Sequence, residues 1–378
     1  METRSLRGTE EQGVTFVELF FDLVFVFAVT QITRVLAGDL TSGGVLRALI
    51  LFWLVWWAWT QYTWSLNEAD TEHGGIRLTT LVATAIAFMM ALTVPDVAGS
   101  AGWVFPLAYL ILRVVGIGMQ WMLAGHDAEW ATAVRRWTLV SSVGLVAVAV
   151  AIVIPPQHRF VALGVAALLD VFAAVRAASE GEWRLFSGHF AERHGLFVII
   201  ALGESLVAAG LSAASQPRTV GLAGVTLVAV AATCGLWWTY FGWVKDRIED
   251  ALASQLAARV GRFARDVYSF AHFPIIGGVI GFAVAIEETV HHPGDPLTTA
   301  VVGALVAGVG LFVGGAALAL LQAGVRVPRV RLVALGLLIV AIPLFVSAPA
   351  WASLSVAALF VIALAVTERP ELGAVGSR

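Results

Sequence analysis

Long apolar segments recur along the whole chain, separated by short polar stretches. Each is roughly 20 residues long, the length that an α-helix needs to cross the hydrocarbon core of a membrane. Twelve such segments are predicted as spans, near 16–36, 45–66, 76–97, 103–124, 137–154, 160–178, 194–213, 219–243, 267–287, 298–322, 331–347 and 350–366. The first contains Glu18 and Asp22 and no small-residue cleavage site follows it, so we expect a retained span rather than a signal peptide.

Basic residues between these segments predict the orientation in the membrane, because an excess of Lys and Arg marks the cytoplasmic side. With the N-terminus inside, eighteen of the 23 Lys and Arg residues lie in cytoplasmic segments. Those on the opposite side are Arg34, Arg47, Arg159 and Arg218. Arg113 is left in the middle of the fourth span. We therefore expect both termini in the cytoplasm.

The composition supports an all-α, polytopic membrane bundle, with 1–378 as a single integral-membrane domain. Hydrophobic residues make up 59% of the chain and charged residues 13%, which excludes a soluble globular domain, a coiled coil and a nucleic-acid-binding module. The one cysteine, Cys234, excludes a disulfide framework and a cysteine-rich metal site.

A weak internal repeat suggests two parallel six-helix halves, 1–178 and 192–366. The sequence LVWWAWTQYTW at 54–64 returns approximately as GLWWTYFGW at 235–243. A repeat of six spans restores the same orientation in the membrane. Residues 179–191 would form the cytoplasmic linker and 244–266 a cytoplasmic helical loop. The alternative is that the tryptophan pairs reflect only the usual enrichment at membrane interfaces.

Ionisable side chains near the middle of the bilayer are the first candidates for function, because they are expensive to bury there. Arg113, Asp170 and Glu204 lie near the midplane of the fourth, sixth and seventh spans. One arginine cannot neutralise two acids, so the excess carboxylate is expected to hold a proton or a cation. The alternative is a structural ion pair that fixes helix packing.

A second polar layer is predicted closer to the cytoplasmic end of the spans. Its members are Glu18, Asp22, Tyr62, Glu192, His194, Tyr268 and His272. Glu18 and Asp22 are four residues apart and share a helix face. The alternative for Glu18 is a structural role at the start of the helix, because Thr15 and Glu18 form the capping pattern T-x-x-E. His272 either belongs to a proton path or bonds to a neighbouring helix.

No motif in the chain predicts a cofactor. It contains no phosphate-binding loop, nucleophile elbow or H-E-x-x-H pattern. Acid–histidine pairs do occur at Glu287, Glu288, His291 and His292, but no third ligand accompanies them, so the identity of any metal stays unknown. We expect no cofactor.

Three separate segments of the chain resemble the bacterial low temperature requirement protein A (LtrA) family. They are FVELFFDLVFVFAVTQ at 16–31, ERHGLFVIIALGESLVAAG at 192–210 and YSFAHFPIIGGVIGFA at 268–283. The resemblance implies a multi-pass bacterial inner-membrane protein, and the family name records growth in the cold rather than an activity. Positions that the resemblance selects are Glu18, Phe21, Asp22, Glu192, Arg193, Gly203, Glu204, Tyr268 and His272.

The leading hypothesis is transport of a proton, an ion or a small solute. Its predicted proton or cation sites are Asp22, Asp170 and Glu204, with Arg113 as the internal counter-charge, and Glu18, Glu192, Arg193, Tyr268 and His272 form a secondary polar layer. One alternative is a membrane enzyme that acts on lipid through Glu18, Asp22 and His272. The other is a structural or stress-related membrane protein. Expected partners are the lipid bilayer and a second copy of the chain, and no nucleic acid.

Overall fold

A computed structural model of the chain consists of α-helices. It describes residues 6–8, 13–125, 127–177 and 185–368, which contain no β-strand. The first helices are α1 (Phe16–Gly38), α2 (Ser42–Asn67), α3 (Gly74–Leu92), α4 (Val104–Ala124), α5 (Ala128–Val153), α6 (Pro156–Ala177) and α7 (Ser187–Ala214). They are followed by α8 (Val220–Phe241), α9 (Val244–Ala253), α10 (Ala257–Phe263), α11 (His272–His291), α12 (Thr299–Gln322), α13 (Arg329–Val340), α14 (Ile342–Ser347) and α15 (Ala350–Thr367). A π-helical segment, Ala264–Phe270, connects α10 to α11.

Twelve helical stretches in the described residues are long and apolar enough to cross a membrane, which confirms the predicted polytopic bundle. Three of them combine elements: α8 with α9, α10 with the π-helical segment and α11, and α13 with α14. The protein is therefore a multi-pass membrane protein. Its orientation stays a prediction, and some residues that entered that prediction lie outside the described ones, namely Arg4, Arg184, Arg369 and Arg378. Part of the predicted linker, 179–184, also lies outside them.

Helix ends follow local capping chemistry, because the first N–H groups of a helix have no partner within it. The side chain of Thr41 accepts from Gly44 N at the start of α2, and that of Asp127 accepts from Trp130 N at the start of α5. Gly125 ends α4 with φ of 53°, a left-handed value that glycine adopts without steric cost.

The described helices form two compact units. The first comprises the described part of Met1–Ile200 together with Leu252–Phe270, and the second comprises Ala201–Ala251 and the described part of Ala271–Arg378. One boundary thus falls within α7 and another at the end of the π-helical segment. The predicted halves, 1–178 and 192–366, stay a prediction.

In the first unit, α2 packs against α1, α4 and α6, and α5 packs against α4 and α6. Its buried face includes Phe21 and Phe25 of α1 and most of the tryptophans of α2. On α5 and α6, large apolar side chains such as Val146 and Leu168 are exposed. Such an apolar exterior is what contact with lipid requires.

In the second unit, α11 and α12 pack closely because glycines remove side chains from their contact. A Cβ atom on Gly278 would lie 2.5 Å from Phe312 N, and one on Gly308 would lie 2.5 Å from Phe282 N. Gly310 and Gly314 of α12 have the G-x-x-x-G spacing that is typical of close helix contacts, but no atom lies within 4 Å of a Cβ placed on Gly314. The close contact with α11 is made at Gly308 instead.

Candidate functional site

Two pairs of ionisable residues face each other across α1 and α7 in the first unit. Glu18 and Asp22 lie one turn apart on α1, and His189 and Arg193 lie one turn apart on α7. Nε2 of His189 lies 3.1 and 3.2 Å from the two carboxylate oxygens of Glu18. Arg193 Nη2 donates to Asp22 Oδ1. We call these four residues the α1–α7 ladder. The earlier acid contacts the earlier base and the later acid contacts the later base, so the two helices run in the same direction.

Both carboxylates of the α1–α7 ladder are fully buried, and they share one guanidinium. Arg193 Nη1 lies 3.5 Å from Glu18 Oε1, and Arg193 Nε lies 3.4 Å from Asp22 Oδ2. The indole N–H of Trp59 donates to Asp22 Oδ1 at 2.8 Å. Relative exposure is 0% for Glu18, Asp22 and Arg193. Two acids therefore compete for one permanent positive charge in a medium of low dielectric.

Glu18 also performs the structural role that its position predicted. Its Oε2 accepts hydrogen bonds from Thr15 N at 3.0 Å and from Thr15 Oγ1 at 2.8 Å, so the expected reciprocal interaction at the start of α1 is present. The other carboxylate oxygen faces His189 and Arg193. One carboxylate thus joins the helix start to the α1–α7 ladder.

A second buried group, here called the midplane cluster, contains Tyr109 and Arg113 of α4 and Asp170 of α6. Arg113 Nη1 donates to Tyr109 Oη at 2.5 Å and lies 3.2 Å from Asp170 Oδ2. The hydroxyl of Tyr109 donates to the same Oδ2 at 2.8 Å. The side chains of Arg113 and Asp170 are 0% and 2% exposed. Two of the predicted midplane residues are therefore brought together by the fold.

Several polar atoms around the midplane cluster have no hydrogen-bond partner within the described residues. On the ion pair itself they are Arg113 Nε, Arg113 Nη2 and Asp170 Oδ1. Other buried atoms without a partner on α2, α4 and α5 are Gln61 Oε1, Gln120 Oε1 and Ser141 Oγ. The Arg113 guanidinium carbon lies 5.5 Å from the Tyr109 ring centroid and 5.8 Å from that of Trp137, which offsets part of the cost of its charge but leaves these N–H groups unpaired.

Helix α2 contacts both polar groups through consecutive residues. Gln61 Nε2 donates to Arg113 O at 3.1 Å, and Tyr62 Oη donates to Leu112 O at 2.9 Å. The carbonyl of Tyr62 in turn accepts from Arg193 Nη1 at 3.4 Å. Gly116 of α4 leaves room for the Gln61 amide, because a Cβ there would lie 2.5 Å from Gln61 Nε2. The ladder and the midplane cluster are thus adjacent along α2.

The remaining predicted site residues lie elsewhere. Glu192 is exposed and accepts from Val14 N at 3.1 Å, so it anchors the chain before α1. Tyr268 is buried in the first unit, with its ring 5.1 Å from that of His194. Glu204 and His272 belong to the second unit, where both are buried and His272 Nε2 lies 2.6 Å from Tyr240 Oη. Their roles stay predictions.

Residues that could hold a metal ion do not converge in the described part of the chain, where no group of three or more His, Cys, Asp or Glu side chains has suitable geometry.

Sequence reasoning missed His189 and the polar role of Trp59. The signal for His189 was its position four residues before Arg193, which matches the spacing of Glu18 and Asp22 and puts both bases on one face of α7. Trp59 lies in a tryptophan-rich segment, a pattern that is typical of helix packing and of anchoring at the membrane interface. Its indole N–H has a buried carboxylate as acceptor, a partner that spacing within one helix cannot reveal.

Comparison with known proteins assigns the family. Residues 13–366 match the family described as bacterial low temperature requirement A protein (LtrA). The chain belongs to this family. It is also 30% identical over 303 residues to an uncharacterized protein of Rhizobium meliloti (strain 1021), covering 76% of this chain and 72% of that protein. No solved structure matches the chain. The LtrA match includes every residue of the α1–α7 ladder and the midplane cluster.

Proposed function

We propose that this LtrA-family protein moves a proton, or else a small cation or solute, across the membrane through the first unit. Asp170 and Asp22 are the exchanging carboxylates, Arg113 is the internal counter-charge, and Glu204 is a further acid of the same kind. The observation that carries the proposal is the incomplete hydrogen bonding of the buried Arg113–Asp170 pair.

A purely structural ion pair gains from complete coordination, because each unpaired polar atom in a low-dielectric interior costs roughly 1–3 kcal/mol. Arg113 uses one of its three nitrogens toward Asp170 and Tyr109. The free acceptor atom of Asp170 and the free donors of Arg113 suit a mobile species that both accepts and donates, such as water carrying a proton.

Proton exchange at Asp170 has a built-in reverse step. A proton that binds Oδ1 neutralises the carboxylate, and Arg113 is then left as an uncompensated buried charge. That charge favours release of the proton again. The site is therefore suited to transient occupation, which transport requires and tight storage does not.

The proposal also specifies which membrane holds the protein and on which side its termini lie. A multi-pass protein of a bacterial family with this distribution of Lys and Arg is proposed to lie in the inner membrane with both termini in the cytoplasm. The α1–α7 ladder would then lie on the cytoplasmic side of the midplane cluster.

The test is flux into proteoliposomes that contain the wild type or Asp170→Asn, with an internal pH dye and imposed K⁺ or Na⁺ gradients. We expect the variant to lose flux by roughly a factor of ten or more, which corresponds to about 1.4 kcal/mol or more in the barrier. Asp39→Asn is the matched control, because Asp39 also pairs with an arginine, Arg47, but at an exposed site.

Each result has a defined meaning. Flux that is lost in Asp170→Asn and retained in Asp39→Asn supports the proposal. Full flux in folded Asp170→Asn removes the assigned role of the midplane cluster. A folded wild-type protein that conducts no proton, K⁺ or Na⁺ and takes up no solute contradicts transport as a whole and favours the structural or lipid-enzyme hypotheses.

A further inference from the structure

His189 occupies a position between a small cavity and the buried acids of the α1–α7 ladder. One ring nitrogen, Nε2, faces Glu18, and the other, Nδ1, lies 3.2 Å from Asn67 Nδ2. The ring is 5% exposed. A histidine bound on both sides in this way has two distinguishable nitrogens, and their neighbours decide which one carries the proton.

The main chain of Phe186 fixes the orientation of the Asn67 amide. Phe186 N donates to Asn67 Oδ1 at 2.8 Å, and Asn67 Nδ2 donates to Phe186 O at 3.0 Å. A backbone N–H can only donate and a carbonyl can only accept, so the reversed amide would lose both bonds. The group facing His189 is therefore the amide NH₂.

This orientation determines the tautomer of His189. Since Asn67 Nδ2 is a donor, His189 Nδ1 must accept and carries no proton. The ring proton then lies on Nε2 and is donated to Glu18, so the resting ring is neutral. Protonation of Nδ1 would put two donors 3.2 Å apart and would require Asn67 to turn away from Phe186.

A cavity of about 10 Å³ adjoins His189 and Asn67, and it is also lined by Gly8 and Thr71. That volume is roughly what one water molecule occupies. Among the residues that line it, His189 is the titratable one. On the far side of the ring the charged groups are Glu18 and, beyond it, Arg193.

The charge balance of the α1–α7 ladder leaves room for one further proton. With His189 neutral, Arg193 provides a single positive charge for the carboxylates of Glu18 and Asp22. Fully buried groups favour overall neutrality, because an uncompensated charge is poorly solvated there. A proton on either carboxylate gives that neutrality without any other ion.

We propose that His189 relays protons between this cavity and Glu18, which makes the α1–α7 ladder the entry point of a proton path. The proposal rests on the proposed function and names its ion. In one step a hydronium ion in the cavity transfers a proton to Nδ1 and becomes water, the Nε2–H bond breaks, and that proton forms an O–H bond with Glu18. The ring stays neutral, now protonated on Nδ1. It then turns toward the cavity, where water takes the proton from Nδ1 and returns one to Nε2, so the resting tautomer is restored without removing the proton from Glu18. Asn67 is the positioning residue that favours this reset.

The first test needs no activity. Nitrogen-15 NMR of the purified full chain, with the His189 signals assigned by their loss in His189→Gln, reports which ring nitrogen is protonated at neutral pH. We expect protonation on Nε2 in the wild type. In Asn67→Asp, where a carboxylate accepts in place of the amide donor, we expect Nδ1 to become protonated. A wild-type ring protonated on Nδ1, or an unchanged ring in Asn67→Asp, would overturn the proposal.

The second test is proton flux in proteoliposomes. His189→Gln keeps a side-chain donor for Glu18 but cannot pass a proton through itself, so we expect flux to fall roughly tenfold or more. His158→Gln, at an exposed histidine, is the matched control and should conduct as the wild type does.

The outcomes separate the two proposals. If folded His189→Gln conducts protons fully while Asp170→Asn does not, the relay is wrong and transport stands. If the wild type conducts K⁺ or Na⁺ through an Asp170-dependent path but no protons, the relay is also wrong. If the NMR result holds and no species is transported, both the relay and the transport proposal fail, and the fixed tautomer is a structural feature of the helix contact.

Discussion

The buried pair Arg113–Asp170 of the first unit and the buried pair Arg331–Glu368 of the second unit differ in how many of their hydrogen bonds are formed. In the second unit, Arg331 Nε donates to Glu368 Oε1 at 2.7 Å and Nη2 donates to Glu368 Oε2 at 2.5 Å. Arg331 Nη2 also donates to Thr239 O at 2.9 Å, and Arg331 Nη1 donates to Val313 O at 3.4 Å. Arg113 in the first unit uses only Nη1, although its side chain is equally buried.

Under the proposed function, the difference separates an ion pair that holds helices from one that exchanges a partner. Arg331 joins α13 to the end of α15 and to α8 and α12, and every nitrogen of its guanidinium has an acceptor. Bidentate geometry of this kind is stable and specific. Arg113 and Asp170 keep unused donors and an unused acceptor. The proposal for Arg113 and Asp170 therefore rests on the bonds that stay unmade and not on burial, which both pairs share.

The largest expected effect is at the complete pair. Glu368→Gln leaves Arg331 as a buried charge without its counter-ion, so we expect a loss of about 3–5 kcal/mol in the free energy of unfolding. Thermal or denaturant unfolding in detergent measures it. Arg331→Met combined with Glu368→Leu should recover most of the loss. A single variant as stable as the wild type would show that the pair does not hold the second unit together.

A smaller effect is expected at the incomplete pair. Tyr109→Phe removes the hydroxyl that bonds both Asp170 and Arg113, and we expect a loss of about 1.5–3 kcal/mol because both partners are charged. The direct contact of Arg113 with Asp170 remains, so proton flux should fall less than in Asp170→Asn. Unfolding and flux measured on the same preparation check this order. Equal flux loss in both variants would place the hydroxyl itself on the path.

The smallest effect is expected at the exposed pair of Asp39, at the end of α1, and Arg47, near the start of α2. A hydrogen bond from the Thr41 hydroxyl, supported by Thr41 N and Arg47, lowers the pKa of Asp39 below its ordinary value of 3.8. Because the folded pKa is lowered, the contribution to stability is present above that value and is lost as pH falls through the folded pKa. The difference in melting temperature between the wild type and Thr41→Val should shrink from pH 6 to pH 2.5, down to the part that comes from the lost bond between Gly44 N and the Thr41 hydroxyl. A difference that grows on acidification would contradict this sign.

Much of the architecture follows from the sequence alone. Runs of about 20 apolar residues leave few alternatives to spanning helices, because every backbone polar group in lipid must be bonded within its own helix. The pairing of residues was harder to predict. Asp170 and Glu204 were both suggested as partners of Arg113 by depth, and the fold brings Asp170 to it within the first unit. Depth gives one coordinate of a side chain and no information on which helices are neighbours.

The same limit applies to the acids of α1. Their spacing predicts a shared face, and the capping pattern predicts the bond from Thr15 to Glu18. Neither feature indicates that the facing surface is the start of α7, where His189 and Arg193 repeat the spacing. Likewise, the sequence of the last spans drew no attention to Arg331, since its partner Glu368 lies 37 residues further along the chain.

Local chemistry in the sequence thus determined the spans, the helix caps and the inventory of buried charges, because these depend on residue type and on spacing within one helix. Tertiary structure decided which charges meet and which of their bonds are completed. That choice depends on helix neighbours that are distant in the chain, and on glycines such as Gly116, which leaves room for the Gln61 amide beside α4.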